Sequence, residues 1–124
     1  MPLWDSDNAA FGRPGGEATA AAGTRPIDLM HLARQTLGDR AVEQDVLSMF
    51  AHQAAGVAER IGTVGEAERL SLAHTLKGSA RAIGAFAVAD CAAEIEARPE
   101  DGAALERLRR LIDEARDFIS AISR

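Results

Sequence analysis

The residues with the clearest chemical potential are His74, Lys77 and Gly78, in the segment LAHTLKGSARAIGAF that spans residues 72–86. A neutral imidazole nitrogen can attack a phosphoryl group, and an ammonium one helical turn away offsets the negative charge that this group brings. A glycine inside an exposed helix costs about 1 kcal/mol relative to alanine. Because Gly78 lies one turn after His74 and has no side chain, it leaves room for another macromolecule to approach the imidazole. The three residues together indicate a carrier of phosphoryl groups.

These side chains need a helix that turns them toward solvent. At about 100° per residue, the apolar residues of the segment share one side of the helix: Leu72, Leu76, Ala80 and Ile83. His74 falls on the far side, with Gly78 and Arg81 on the same outer face and Lys77 on the flank. The pattern therefore predicts a histidine that is presented to a partner rather than buried in a core.

The rest of the chain predicts the other elements of an all-α fold. Apolar residues recur at three- and four-residue steps, and no segment alternates with the period of a strand. The predicted helices cover about residues 27–38, 39–61 with Asp39 as N-cap, 66–83 with Gly84 as the stop, 86–98 before Pro99, and 101–124. Short connections between long helices favour antiparallel neighbours. We therefore expect an antiparallel up-down four-helix bundle with a short additional N-terminal helix.

The apolar stripes of these helices predict the core. The positions expected to be buried are Val42, Val46, Met49, Phe50, Val57 and Ile61 in the second helix, Val88, Cys91, Ala92 and Ile95 in the fourth, and Leu105, Leu108, Ile112, Ala115, Ile119 and Ile122 in the last. Cys91 is the only cysteine, and its position in a stripe indicates a small core residue rather than a reactive thiol.

Residues 1–25 differ from the bundle, which we expect at 26–124. They are rich in glycine, alanine and proline and lack apolar periodicity, so we interpret them as a flexible N-terminal tail. Trp4 and Phe11 allow two further interpretations, as anchors for a partner or as groups that fold back onto the bundle.

Composition excludes several classes of function. A net charge of −5 argues against a nucleic-acid binder, which needs a positive surplus. No apolar run is long enough to cross a bilayer, and no basic and apolar leader begins the chain, so a cytoplasmic protein is expected. His31 and His52 have no partners at metal-binding spacing, and we expect both at the surface or at its rim.

The sequence HTLKGSA at residues 74–80 resembles the signature of histidine-containing phosphotransfer (HPt) domains. Ile83-Gly84 and the later Glu94-Ile95-Glu96 also fit the layout of that family, and the likeness covers about residues 27–122. The resemblance implies a bundle without nucleotide-binding or kinase activity that accepts a phosphoryl group from an aspartate of one receiver domain and passes it to another.

By this resemblance, His74 is the phosphoacceptor, Lys77 its electrostatic support and Gly78 the position that gives the partner clearance. Ser79 and Ala80 would allow close helix packing. The family often places a polar side chain on the neighbouring helix near the phosphohistidine. Counting along the sequence makes that residue Glu96, although glutamine would suit a phosphate better, and Glu96 is not included in the predicted site.

The resemblance also implies the partners. They are response-regulator receiver domains and a hybrid sensor kinase or similar donor, and the Mg²⁺ needed for transfer belongs to the receiver rather than to this chain. Leu70, Met49 and Gln53 are candidates for the rim of the contact, although all three fit the core as well, and Met49 fits the core better. A monomer is expected, without bound cofactor or metal. Two alternatives stay open: a non-catalytic adaptor that binds receivers with the same surface, and a domain excised from a larger kinase.

Overall fold

The computed structural model describes residues 25–123. Within this part of the chain there are no strands, and the helices are α1 (Leu29–Gln35), α2 (Arg40–Arg60), α3 (Glu66–Ile83), α4 (Phe86–Ala97) and α5 (Gly102–Ile122). The predicted segment 1–25, with Trp4 and Phe11, lies outside the described residues except for Arg25. No helix in the described range combines the length and the apolar character that crossing a membrane requires.

Aspartates begin three of the helices. The side chain of Asp28 accepts the backbone N–H of His31, that of Asp39 accepts the N–H of Val42, and Asp101 caps α5 in the same way. Each bond satisfies one of the N–H groups that a helix start leaves without an intrahelical partner. The local sequence therefore fixes where α1, α2 and α5 begin.

The four long helices pack in a ring in which α2 contacts α3, α3 contacts α4, α4 contacts α5, and α5 returns to α2. The fully enclosed aliphatic side chains at the centre include Leu47, Leu76, Ile95, Leu108 and Ile112. Burial of such side chains is the main favourable term in folding, at about 25 cal/mol per Å² of apolar surface. The short α1 packs against α3. The predicted four-helix bundle with an additional N-terminal helix is confirmed.

Gly84 joins α3 to α4 and also receives the N-terminal part of the described chain. Its φ of 90° is left-handed, and its carbonyl accepts the backbone N–H of Asp28 at 2.9 Å. A Cβ at this position would lie 2.8 Å from the Asp28 carbonyl oxygen. Glycine is therefore required here twice, by the turn and by the close approach of a second segment.

Arg69, in the first turns of α3, holds the opposite end of that helix. Its guanidinium donates to the carbonyl oxygens of Ile61, Val64 and Pro99 at distances between 2.8 and 3.1 Å. Those carbonyls belong to the α2–α3 and α4–α5 connections. One side chain thus ties both connections to the start of the helix that carries His74.

Two expectations about the first helices were wrong. The first helix begins at Leu29 rather than about Ile27, because Asp28 is its N-cap and Ile27 is buried ahead of it. Val42 and Met49 are 42% and 70% exposed, so they do not belong to the core. The buried side of α2 runs instead through Leu47, Phe50, Ala54 and Val57, which lies to one side of the predicted stripe.

Cys91 lies in the core as predicted, 2% exposed, with its Sγ donating to the carbonyl of Ala104 at 3.3 Å. Burial raises the pKa of its thiol. The buried, protonated thiol behaves as a small apolar residue.

Candidate functional site

His74 projects from the middle of α3 into solvent. Its side chain is 73% exposed, whereas Ala73 and Leu76 on the opposite side of the same helix are fully enclosed. The outward direction predicted from the helical pattern is confirmed. The imidazole is accessible to a second protein without any movement of the bundle.

Glu96 on α4 contacts His74 directly. Its Oε2 lies 2.8 Å from Nδ1 of the imidazole, across the interface between α3 and α4. Ile95, fully buried, fixes the rotation of α4 so that the next residue emerges at the edge of α3. From the sequence, Glu96 is found only by counting along the family pattern, and it is not part of the predicted site.

The contact with Glu96 determines which imidazole nitrogen carries the proton. An ionised carboxylate only accepts hydrogen bonds, so Nδ1 of His74 must donate. In the neutral ring the lone pair is then on Nε2, the nitrogen that points away from Glu96. The geometry therefore leaves Nε2 able to act as a nucleophile, and it places a negative charge behind the ring, where positive charge would develop if Nε2 formed a bond.

Lys77 is held by the same carboxylate group. Its Nζ lies 2.5 Å from Oε1 of Glu96, and its side chain is only 21% exposed. The hydrogen bond from Lys77 and, more weakly, that from His74 hold the pKa of Glu96 below its ordinary value, against the opposing effect of burial. Lys77, Glu96 and His74 thus form one connected group, in which the ammonium and the imidazole contact the same carboxylate.

Gly78 lies one turn beyond His74, on the exposed face of α3. A Cβ built at this glycine would meet no atom within 4 Å. The fold therefore does not need a glycine here, and neither the packing nor the backbone angle explains its helix-weakening presence. The surface around this position is open, one helical turn from His74.

An apolar groove, here called the α2–α3 groove, lies beside this face. It is lined by Val46, Met49, Phe50, Ser79, Ala82 and Ile83. Gly78 and Ala82 follow His74 at four-residue steps, so one row of small residues leads from the imidazole to the groove. Met49 is exposed at its edge, which excludes the core interpretation, and its place at the rim of a partner contact stays a prediction. Leu70 and Gln53 are half-buried.

The other histidines lie apart from this site. His52 is exposed on α2, as predicted, while His31 is half-buried and its ring packs edge-on against Phe86 with centroids 5.1 Å apart. Among residues 25–123, no cluster of three or more His, Cys, Asp or Glu side chains is arranged to hold a metal ion.

The role of Glu96 in fixing the proton on Nδ1 can be measured. In the Glu96→Ala variant we expect the His74 proton to move largely to Nε2, because a free imidazole prefers that tautomer. Ring ¹⁵N chemical shifts report the tautomer directly. Glu94→Ala removes a carboxylate from the same helix that pairs with Arg107 instead, and should leave the shifts unchanged. Identical His74 spectra in wild type and Glu96→Ala would contradict the assignment.

Glu96 should also make stability depend on pH in one direction. Since the fold lowers the pKa of Glu96, its stabilisation is fully present above the ordinary glutamate pKa and is lost as pH falls through the lowered value. The wild type should therefore exceed Glu96→Gln in unfolding free energy at neutral pH, by about 1 kcal/mol or less for a partly exposed group. Urea unfolding at neutral and acidic pH measures this difference, which should disappear in acid.

A comparison with protein families gives one match. The model of the family described as Hpt domain matches residues 45–118, more than half of the chain. The matched range contains all of α3 and α4, and with them His74, Lys77, Gly78 and Glu96. No curated protein and no solved structure matches the chain.

Proposed function

The chain belongs to the Hpt domain family, and on that premise we propose that it is a phosphoryl carrier of a two-component phosphorelay, with His74 as the accepting residue. Family membership implies phosphotransfer in phosphorelay signalling, performed by a carrier rather than a kinase. The finer assignment, acceptance from one receiver aspartate and delivery to another, is our proposal. The observation that supports it most is the exposed His74 whose Nδ1 is occupied by Glu96.

In the accepting direction, the Nε2 lone pair of His74 attacks the phosphorus of an aspartyl phosphate. The N–P bond forms as the P–O bond to the receiver's carboxylate breaks, and its electron pair leaves with that oxygen. Nδ1 keeps its proton throughout, so the ring becomes positively charged beside the Glu96 carboxylate. This pairing stabilises the phosphorylated ring at close range.

In the donating direction, the same proton makes the histidine a good leaving group. A carboxylate oxygen of the second receiver attacks phosphorus, and the electrons of the N–P bond return to Nε2. Because Nδ1 is already protonated, the group that leaves is a neutral imidazole rather than an imidazolate. Glu96 thus keeps the proton on Nδ1, where both directions of a reversible carrier need it.

Lys77 supplies a cation for the phosphoryl group in this scheme. Phosphoryl transfer is mostly a matter of positioning and of neutralising charge. Rotation of the Lys77 ammonium from Glu96 toward the phosphate oxygens would exchange one ion pair for another without leaving either charge isolated. The Mg²⁺ that transfer requires is proposed to reside in the receiver, together with the attacking or departing aspartate.

Gly78 is proposed to give the receiver its clearance. Gly78→Gln should slow phosphotransfer at least tenfold, a loss of about 1.4 kcal/mol in the transition state, because a long side chain then stands beside the imidazole. The free energy of unfolding of the Gly78→Gln variant should not fall, because glutamine is a better helix former than glycine and the space around position 78 is open. Transfer rates and circular dichroism measure the two effects.

Gly56→Gln is the matched control for this substitution. It makes the same chemical change in the middle of α2, also at a glycine with open space around its Cβ position. Transfer should proceed at the wild-type rate. Equal slowing by both variants would mean that the effect comes from helix propensity and not from the space beside His74.

Incubation with a phosphorylated receiver domain tests the function itself. The expected result is label that moves to this protein in an acid-labile, base-stable form, as a phosphoramidate requires. Binding of the receiver without any transfer of label would instead support the non-catalytic adaptor. The family's typical partners are receiver domains and kinases, and profiling against a panel of receivers would identify the particular ones.

A further inference from the structure

We propose that the N-terminal segment of this chain docks on the α2–α3 groove, with Trp4 seated beside Met49, and so competes with a partner for the face that carries His74. The groove is apolar apart from Ser79, and Met49 at its edge is 70% exposed. An aromatic ring on the methionine sulfur and the adjacent aliphatic side chains would remove this apolar surface from water.

The position at which the chain enters the described structure favours the N-terminal segment as the occupant of the groove. Asp28 is hydrogen-bonded to Gly84, and the residue before that glycine, Ile83, lines the groove. The segment therefore approaches the bundle at one end of the groove rather than at the far end of the molecule. His74 lies ten residues before Gly84 on α3, a distance of about 15 Å along the helix.

The N-terminal segment is long enough to cover the roughly 15 Å from Gly84 to His74. Fourteen positions separate Phe11 from Arg25, and a glycine-rich chain of that length spans about 20 Å on average. Trp4 lies seven positions further away and reaches the groove with slack. Tethering at this length gives effective concentrations of about millimolar, so even a weak contact would be populated.

Charge complementarity points the same way. The four residues Trp4–Asp7 read WDSD, and the segment 1–24 carries three acidic residues against one arginine. Arg81 is exposed on α3 next to Ala82 of the groove. With Trp4 in the groove, Asp5 and Asp7 would lie within reach of the Arg81 guanidinium. Their carboxylates would then face the same surface as the aspartates of a receiver.

Trp4 is the only tryptophan of the chain, so its fluorescence tests the contact in the intact protein. We expect emission that is shifted to shorter wavelength relative to a free peptide of residues 1–24. Met49→Glu should return the emission to that of the peptide. Met30→Glu is the control, because Met30 is equally exposed but lies on α1 and does not line the groove.

Three results would overturn the inference. They are emission identical to that of the free peptide, emission that responds equally to Met49→Glu and Met30→Glu, and a shift that depends on protein concentration. The last would mean that the segment docks on a second copy of the chain. None of these readouts requires a phosphoryl group, so they decide the docking even if the proposed function is wrong.

The competition with a receiver rests on the proposed function and has its own readout. Trp4→Ala should accelerate transfer from a phosphorylated receiver severalfold, and Thr19→Ala in the same segment should not. Docking without such acceleration would overturn the competition. Failure of wild type and both variants to accept label would count against the proposed function, and the fluorescence result would stand.

Discussion

The His74→Gln variant is expected to take up no acid-labile phosphate from a phosphorylated receiver, a complete loss of transfer rather than a slower rate. Glutamine retains a polar side chain of similar reach but has no nucleophilic nitrogen lone pair, so no N–P bond can form. Because the side chain is 73% exposed, the fold should not change. Label transfer, followed together with circular dichroism, measures both expectations.

His52→Gln is the matched control for that experiment. It removes another exposed imidazole, from α2, and should accept label at the wild-type rate. If His74→Gln accepted label as wild type does, the phosphoryl group would be carried elsewhere and the proposed site would be wrong. Label retained in His74→Gln but lost in His52→Gln would reassign the accepting residue.

The largest expected effect on stability comes from Gly84→Ala. A residue with a side chain pays about 1–2 kcal/mol for a left-handed conformation. The added Cβ would also lie 2.8 Å from the carbonyl oxygen and 3.2 Å from the nitrogen of Asp28. Since those atoms are backbone, relief requires α1 to move. We expect a total loss of about 2–4 kcal/mol in the free energy of unfolding, measured by urea titration.

Gly56→Ala provides the comparison. Gly56 lies within α2, where an added methyl would meet nothing within 4 Å and the backbone angles suit any residue. The substitution should raise the free energy of unfolding by about 0.5–1 kcal/mol. Opposite signs at the two glycines would establish that Gly84 is required by its conformation and by Asp28. Equal effects would contradict that account.

Local signals in the sequence were sufficient to predict most of the fold. Asp39 sets the start of α2 by a hydrogen bond, and Gly84 sets the end of α3 by its backbone angles. Both signals act within a few residues, and both helix ends were predicted as the structure has them. The burial of Val88 and Ile95 followed from the period of an amphipathic helix. Such features depend on few neighbours.

Features that depend on packing between helices were harder to predict. Met49 fits an apolar stripe, but the rotation of α2 against α3 and α5 decides that Leu47 is enclosed and Met49 is exposed. Glu96 is 22 positions from His74, and only the approach of α4 to α3 shows that its carboxylate contacts Nδ1. Periodicity gives the apolar side of each helix to within about one residue, and that is not enough to place a contact of this kind.

The attachment of α3 at both ends has a thermodynamic consequence. At the start of α3, Arg69 is hydrogen-bonded to the α2–α3 and α4–α5 connections. At its end, Gly84 is hydrogen-bonded to Asp28. The helix that carries His74 is therefore held in place at both ends. A helix held at both ends presents the same surface to each partner that binds it. In the proposed relay, the net direction of transfer depends on the relative free energies of the two aspartyl phosphates and on the abundance of the proteins that hold them, and the carrier does not change it.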